Sequence, residues 1–165
     1  TKLAAKLNRG LDIGGQAIGQ PTAFHIGVAA NPGAFDLDQE IRRFEYKVKA
    51  GAEFAVTQPV FDVAAMRQFL DRISGMRIPV LAGIMPLESL RHAEFMANEV
   101  PGVIVPEAVM DRMRRAEEAG RARDEGLAIA RELVAELAGR VQGLQVTVAS
   151  GAVDAALRVL EAIHV

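Results

Sequence analysis

The sequence predicts an α/β protein built around a parallel sheet, and three observations carry that expectation. First, short apolar runs end on polar residues and proline. Phe24-His25-Ile26-Gly27-Val28-Ala29-Ala30 runs into Asn31-Pro32, residues 54–58 run into Pro59, and Ile78-Pro79-Val80-Leu81-Ala82-Gly83-Ile84 runs into Met85-Pro86. Second, these prolines at 32, 59 and 86 stand 27 residues apart. Third, each interval holds one helical pattern and one apolar run, which is a repeated strand–helix unit. Strands alternating with helices imply parallel pairing and right-handed crossovers. An open doubly wound sheet and half of a (β/α)8 barrel both accommodate the pattern. Both place chemistry at the C-terminal strand ends, which puts Asn31, Gln58, Met85 and Ser150 at the rim.

The elements follow in order. Leu3 and Leu7 sit four apart on a helix expected to end at Gly10. The opening Thr1-Lys2-Leu3-Ala4-Ala5-Lys6-Leu7 reads as the tail of a helix already under way, so the chain is expected to begin inside a larger unit. Residues 11–21 are a glycine-rich connector. A nucleotide loop is the alternative there, but no strand precedes it and no Gly-Lys-Ser/Thr ends it.

The first strand, 24–30, leads to Asp36 as N-cap of a helix over 37–50. Leu37, Ile41, Phe44 and Val48 form its apolar stripe. Gly51 closes that helix and a strand over 54–58 follows. Proline cannot donate to a ladder, so pairing is expected to stop at Pro59. Asp62 caps the next helix, whose stripe is Met66, Phe69, Leu70 and Ile73. The strand over 78–84 is nearly all apolar, as in a sheet covered on both faces.

A helix over 89–99 turns Leu90, Ala93 and Met96 inward. The rhythm then breaks: Pro101 and Pro106 bracket an inserted turn, and 107–119 and 122–139 read as two successive helices. Leu127, Ala130, Leu133, Val134, Leu137 and Ala138 make the buried face of the second. A fourth strand over 144–149 and a last helix over 152–163 complete the count.

Composition excludes several classes of function. The chain has 165 residues, half of them hydrophobic, which suits one domain with a substantial core. A formal net charge of −2 makes no electrostatic case for nucleic acid. The absence of cysteine removes disulfides, thiolate chemistry and cysteine metal sites. No apolar run is long enough for a membrane span and no secretory signal opens the chain, so a cytoplasmic protein is expected.

Several motifs together resemble the methylenetetrahydrofolate reductases, flavin enzymes built on a (β/α)8 barrel. They are Gly27-Val28-Ala29-Ala30-Asn31-Pro32, Lys47-Val48-Lys49-Ala50-Gly51-Ala52, Val56-Thr57-Gln58-Pro59-Val60-Phe61-Asp62, Pro79-Val80-Leu81-Ala82-Gly83-Ile84-Met85-Pro86 and Glu94-Phe95-Met96. They run in the family's order along nearly the whole chain. The form with Asn-Pro and Thr-Gln-Pro-Val-Phe-Asp is most similar to reductases fused behind a homocysteine methyltransferase domain. The resemblance implies the C-terminal half of the barrel: four parallel strands, each followed by helix, with an extra helical pair before the last strand. Residues 1–165 would then be one domain, with 1–20 a helix end and connector from the N-terminal half.

The same resemblance implies a function. The family reduces 5,10-methylenetetrahydrofolate to 5-methyltetrahydrofolate with hydride from NAD(P)H by way of FAD. Gln58 aligns with a glutamine that hydrogen-bonds the pterin, where a carboxamide matches paired donor and acceptor edges. It reads equally as a strand-end glutamine satisfying a backbone group. Asn31 falls where the family strand meets the flavin, although asparagine before proline is also a common turn. Glu40, Arg43 and Lys47 share one helical face and align with residues that reach the FAD ribose, phosphates or adenine. A solvated charged face is the alternative for each singly, and Lys47 has the clearest physical role, as a cation for the pyrophosphate.

His92 aligns with a second folate-contacting glutamine, and reads equally as covering a helix start. Met96 stands where some members place a ligand-stacking aromatic, and core packing is its expected role. Ser150-Gly151-Ala152 replaces a family arginine that meets the folate glutamate tail. The family's glutamate general acid and flavin-side aspartate lie on earlier strands, so no catalytic residue is assigned here and the isolated chain is expected to be inactive. His25 and His164 lack a second ligand at useful spacing, so no metal site is expected.

An exposed barrel interior implies partners: the N-terminal half of the barrel or a second copy, and hence a homo-oligomer. Two rival functions remain open from the residues. One is a non-catalytic module that binds a partner through its sheet edge. The other is a different (β/α)8 enzyme with a phosphate site near its last strands.

Overall fold

The computed structural model describes residues 1–148 and 152–161. Four parallel strands form one sheet in the order β1-β2-β3-β4. They are β1 (Gly27–Ala30), β2 (Phe54–Pro59), β3 (Val80–Ile84) and β4 (Gly143–Val146). The α-helices of the described residues are α1 (Lys2–Leu7), α2 (Leu37–Lys49), α3 (Val63–Ile73), α4 (Leu90–Glu99), α5 (Glu107–Glu118), α6 (Ala122–Leu137) and α7 (Val153–Leu160). Sequential strands in sequential order, each followed by helix, are half of a (β/α)8 barrel. The inserted pair α5–α6 precedes β4, as the break in rhythm predicts.

The helix starts follow from local chemistry. Asp36 accepts from Gln39 N at 2.8 Å, Asp62 from Ala65 N at 3.0 Å, and Ser89 from His92 N at 3.1 Å. Each satisfies an amide the first turn leaves without a partner, worth about 1 kcal/mol.

Register and alternation separate the two faces of the sheet. Val28 pairs with Ala55 and Ala55 with Val80; Ala82 pairs with Leu144 and Ile84 with Val146. This set faces the helices, where Ala55, Val80, Ala82 and Ile84 are buried with Phe44, Met66, Phe69, Leu133 and Leu137. Phe44 and Phe69 meet edge to face, with centroids 5.5 Å apart. The opposite set is open: Gly27, Ala29 and Gln145 are exposed, and Phe54, Val56 and Leu81 are only half-buried.

The strand ends depart from expectation. The first strand begins at Gly27 rather than 24, because Phe24 is held by a side chain instead of a neighbouring strand. Asn8 donates to Phe24 O at 2.7 Å and accepts from Phe24 N at 2.8 Å. Pro59 is the last residue of β2 rather than the first one beyond it. The register slips by one residue between Val56 and Pro59, a β-bulge, and pairing resumes with Pro59 opposite Gly83. Val60 N then donates to Gly83 O at 2.9 Å, supplying the bond Pro59 cannot make. The third strand starts at Val80, after Pro79. The fourth runs from Gly143 to Val146, and its expected end at Ala149 lies outside the described residues, as do Ser150 and His164. Ala138 is exposed beyond the end of α6.

Between α5 and α6, Arg112 bonds Glu125 at 2.7 Å and Glu132 at 2.9 Å. The guanidinium holds the Glu132 carboxyl below its ordinary range.

Candidate functional site

The C-terminal end of β1 gathers four of the residues singled out above. Glu40, on the first turn of α2, is the one buried carboxylate among the described residues, 5% exposed. It survives burial because three partners surround it. Its Oε1 accepts from the Asn31 amide at 3.2 Å and lies 3.7 Å from Lys47 Nζ; its Oε2 lies 3.7 Å from Arg43. Lys47 also donates to the carbonyl of Ala29 at 2.7 Å. Backbone groups of alternate residues point to opposite edges, and Ile26 O already accepts from β2. The Ala29 carbonyl therefore faces the outer edge of β1, where no strand among the described residues pairs. One carboxylate against two cations leaves the cluster one positive charge in surplus.

Asn31 adds a second feature. Its Oδ1 is buried and has no donor among the described residues. A buried acceptor left without a proton is uncommon and calls for an explanation such as a ligand or bound water.

Gln58 stands in the β2 bulge. Its neighbour Thr57 is buried and fills the bulge, accepting from Gly83 N at 2.9 Å and donating to Gln58 O at 2.8 Å. The Gln58 backbone is thereby fixed while its carboxamide has no protein partner among the described residues. Gln58 lines a narrow crevice with Pro32, Gly33 and Gly102, beside Asn31.

His92 lies apart from this group. Its Nδ1 accepts from Glu88 N at 3.3 Å while its own amide donates to Ser89, so the ring covers the start of α4. Met96 is buried in the core. His25 stacks on Phe54 with centroids 4.9 Å apart, at the opposite end of the strands. Among the described residues no group of three His, Asp or Glu could hold a metal ion, and no helix is long and apolar enough to cross a membrane.

The sequence reading missed two parts of the site. It set Glu40 on one helical face with Arg43 and Lys47, toward the cofactor, but did not foresee its burial as their hub, and it gave Thr57 no role. The signal for Thr57 was a hydroxyl two residues after Ala55, on the same side of the strand and directly before the glutamine.

Comparison with known proteins gives one family. The family model described as methylenetetrahydrofolate reductase matches residues 17–151. Methylenetetrahydrofolate reductase 1 of Schizosaccharomyces pombe is 34% identical over 100 residues, covering 54% of this chain and 16% of that protein. The 5,10-methylenetetrahydrofolate reductase of Escherichia coli K12 is 33% identical over 81 residues, 46% of this chain and 27% of that protein. Methylenetetrahydrofolate reductase 2 of Saccharomyces cerevisiae is 29% identical over 90 residues, 47% of this chain and 15% of that protein. The matched stretches span well under half the length of these relatives.

Proposed function

Because the chain belongs to the methylenetetrahydrofolate reductase family, we propose that it forms FAD- and folate-facing walls of a reductase. That enzyme converts 5,10-methylenetetrahydrofolate to 5-methyltetrahydrofolate with hydride from NAD(P)H. The observation that carries the reading is the Glu40 hub, which draws Asn31, Arg43 and Lys47 to one strand end. A flavin bound there supplies the hydride relay between nicotinamide and folate.

The residues fit that group. Lys47 and Arg43 suit a pyrophosphate, since their surplus charge complements an anion and both make charge-assisted bonds. The lone acceptor of Asn31 suits an N–H or O–H of the cofactor, and Glu40 keeps both cations and the Asn31 backbone in place. Gln58 offers a donor and an acceptor to the pterin edge. His92 keeps Nε2 for folate while Nδ1 holds the helix start. The general acid is assigned to none of these residues.

The open face of the sheet, with Phe54, Val56 and Leu81 half-buried and β1 and β4 each paired on one side, suits closure by further parallel strands. We assign these to the other half of a barrel, in the same polypeptide or in a second copy. Mass and visible spectrum of the purified protein at its native length test the reading. Flavin absorbance lost in Lys47→Met supports it. A colourless protein that takes up no added FAD overturns it and favours an assembly module.

A further inference from the structure

Two proline–glycine turns meet above the end of β1. Asn31-Pro32-Gly33-Ala34 is closed by Ala34 N donating to Asn31 O at 3.3 Å, and Val100-Pro101-Gly102-Val103 by Val103 N donating to Val100 O at 3.2 Å. Gly102 has φ +79°, so proline and glycine take the central positions of a type II turn. The turns come from different strand–helix units, yet they interlock. A Cβ on Gly33 would lie 2.4 Å from the Gly102 carbonyl oxygen. One on Gly102 would lie 1.7 Å from Asn31 Nδ2 and 2.7 Å from Oδ1. The Asn31 carboxamide thus occupies the space any side chain at 102 would fill, and its Oδ1 receives no proton there.

On the reading above, in which Asn31 meets the flavin, we propose that Gly102 is a positioning residue for that cofactor. The 100–103 turn seats the Asn31 carboxamide, so the unit that carries β3 and α4 sets the affinity of a ligand held at β1. A buried acceptor without a donor gains most from one a ligand brings, provided the turn leaves the carboxamide room to present it. Alanine at 102 removes that room, because the methyl displaces the carboxamide and φ +79° disfavours an L side chain. The consequence for the ligand runs through Asn31 and disappears with its carboxamide.

A double-mutant cycle tests this on the protein at its native length. Wild type, Gly102→Ala, Asn31→Ala and the double variant are titrated with FAD by quenching of flavin fluorescence. Gly102→Ala is expected to weaken binding about tenfold with Asn31 present and less than about threefold in the Asn31→Ala background. Equal losses in both backgrounds overturn the proposal, because Gly102 then acts on the fold alone; unchanged affinity overturns it too. If Gly102→Ala does not fold, Pro101→Ala loosens the same turn without adding bulk. It is read by the same criterion, with about threefold weakening expected only where Asn31 is present. Wild-type protein that takes up no flavin fails at an earlier point: it removes the cofactor reading, and this proposal with it.

Discussion

Thr57 and Gly83 are joined by a hydrogen bond that the strand ladder itself does not supply. The Thr57 hydroxyl accepts from the Gly83 amide at 2.9 Å and passes its own proton to the Gln58 carbonyl at 2.8 Å. One side chain thus stands in for the pairing lost at the bulge and holds the backbone of the proposed pterin ligand.

Thr57→Val keeps the shape and removes both bonds, leaving a buried amide without an acceptor. A loss of about 1–3 kcal/mol is expected in urea unfolding. Thr57→Ser, which keeps the hydroxyl, should lose less. In the active protein Thr57→Val should also raise the folate KM, because Gln58 is no longer fixed.

Gly27→Ala should disturb the open face. A Cβ there would meet the Phe54 ring at 2.4 Å, and that ring stacks on His25. The ring is displaced and the stack is lost, costing about 1 kcal/mol. Thermal unfolding reads the loss, and the chemical shifts of the His25 ring report the displaced ring directly. In a Phe54→Leu background the same change should be close to neutral.

The Arg112–Glu132 pair should appear in the acid limb of stability. Arg112 lowers the Glu132 pKa in the folded state from 4.5. A depressed carboxylate contributes fully above its unfolded pKa and loses that contribution as pH falls through the folded value. Glu132→Gln should therefore flatten the loss of stability below about pH 4.5. At pH 7 it should cost no more than about 1 kcal/mol, since Glu132 is more than half exposed and solvent screens the pair. Urea midpoints measured from pH 7 down to pH 3 check both.

Lys47→Met should weaken FAD binding more than Arg43→Met. The Lys47 side chain is 24% exposed and Arg43 65%, so the lysine contact is less screened. A loss of about tenfold for Lys47 and a few-fold for Arg43 is expected by fluorescence titration. The reverse order would move the phosphate contact to the outer side of the helix.

The caps at Asp36 and Asp62 were legible because an N-cap is a local event, written within a few residues; the Ser89 cap, equally local, was not read. The helices followed for the same reason, and so did the parallel sheet, since its repeat is carried by spacing. Pro59 misled by one residue, because only the slipped pairing with Gly83 across the bulge shows that the strand still includes it. Phe24 misled because Asn8, from another part of the chain, takes the bonds a strand would take. Glu40 could be placed on a helical face with Arg43 and Lys47, but its burial depends on how α2 leans over β1. The meeting of Asn31 with Gly102 is a tertiary contact with no local signature.

Lys47 has a second consequence, for the time before any cofactor arrives. An uncovered parallel edge with a free carbonyl is a template for strand addition and aggregation. By holding the Ala29 carbonyl, Lys47 places a charge at the position where a foreign strand would dock. Residues 27–30 are small and flat enough to invite such docking, and the lysine makes it costly. Transfer of Lys47 to a phosphate would release that acceptor to the strand that closes the barrel at β1, so the same residue guards the edge first and serves the ligand afterwards.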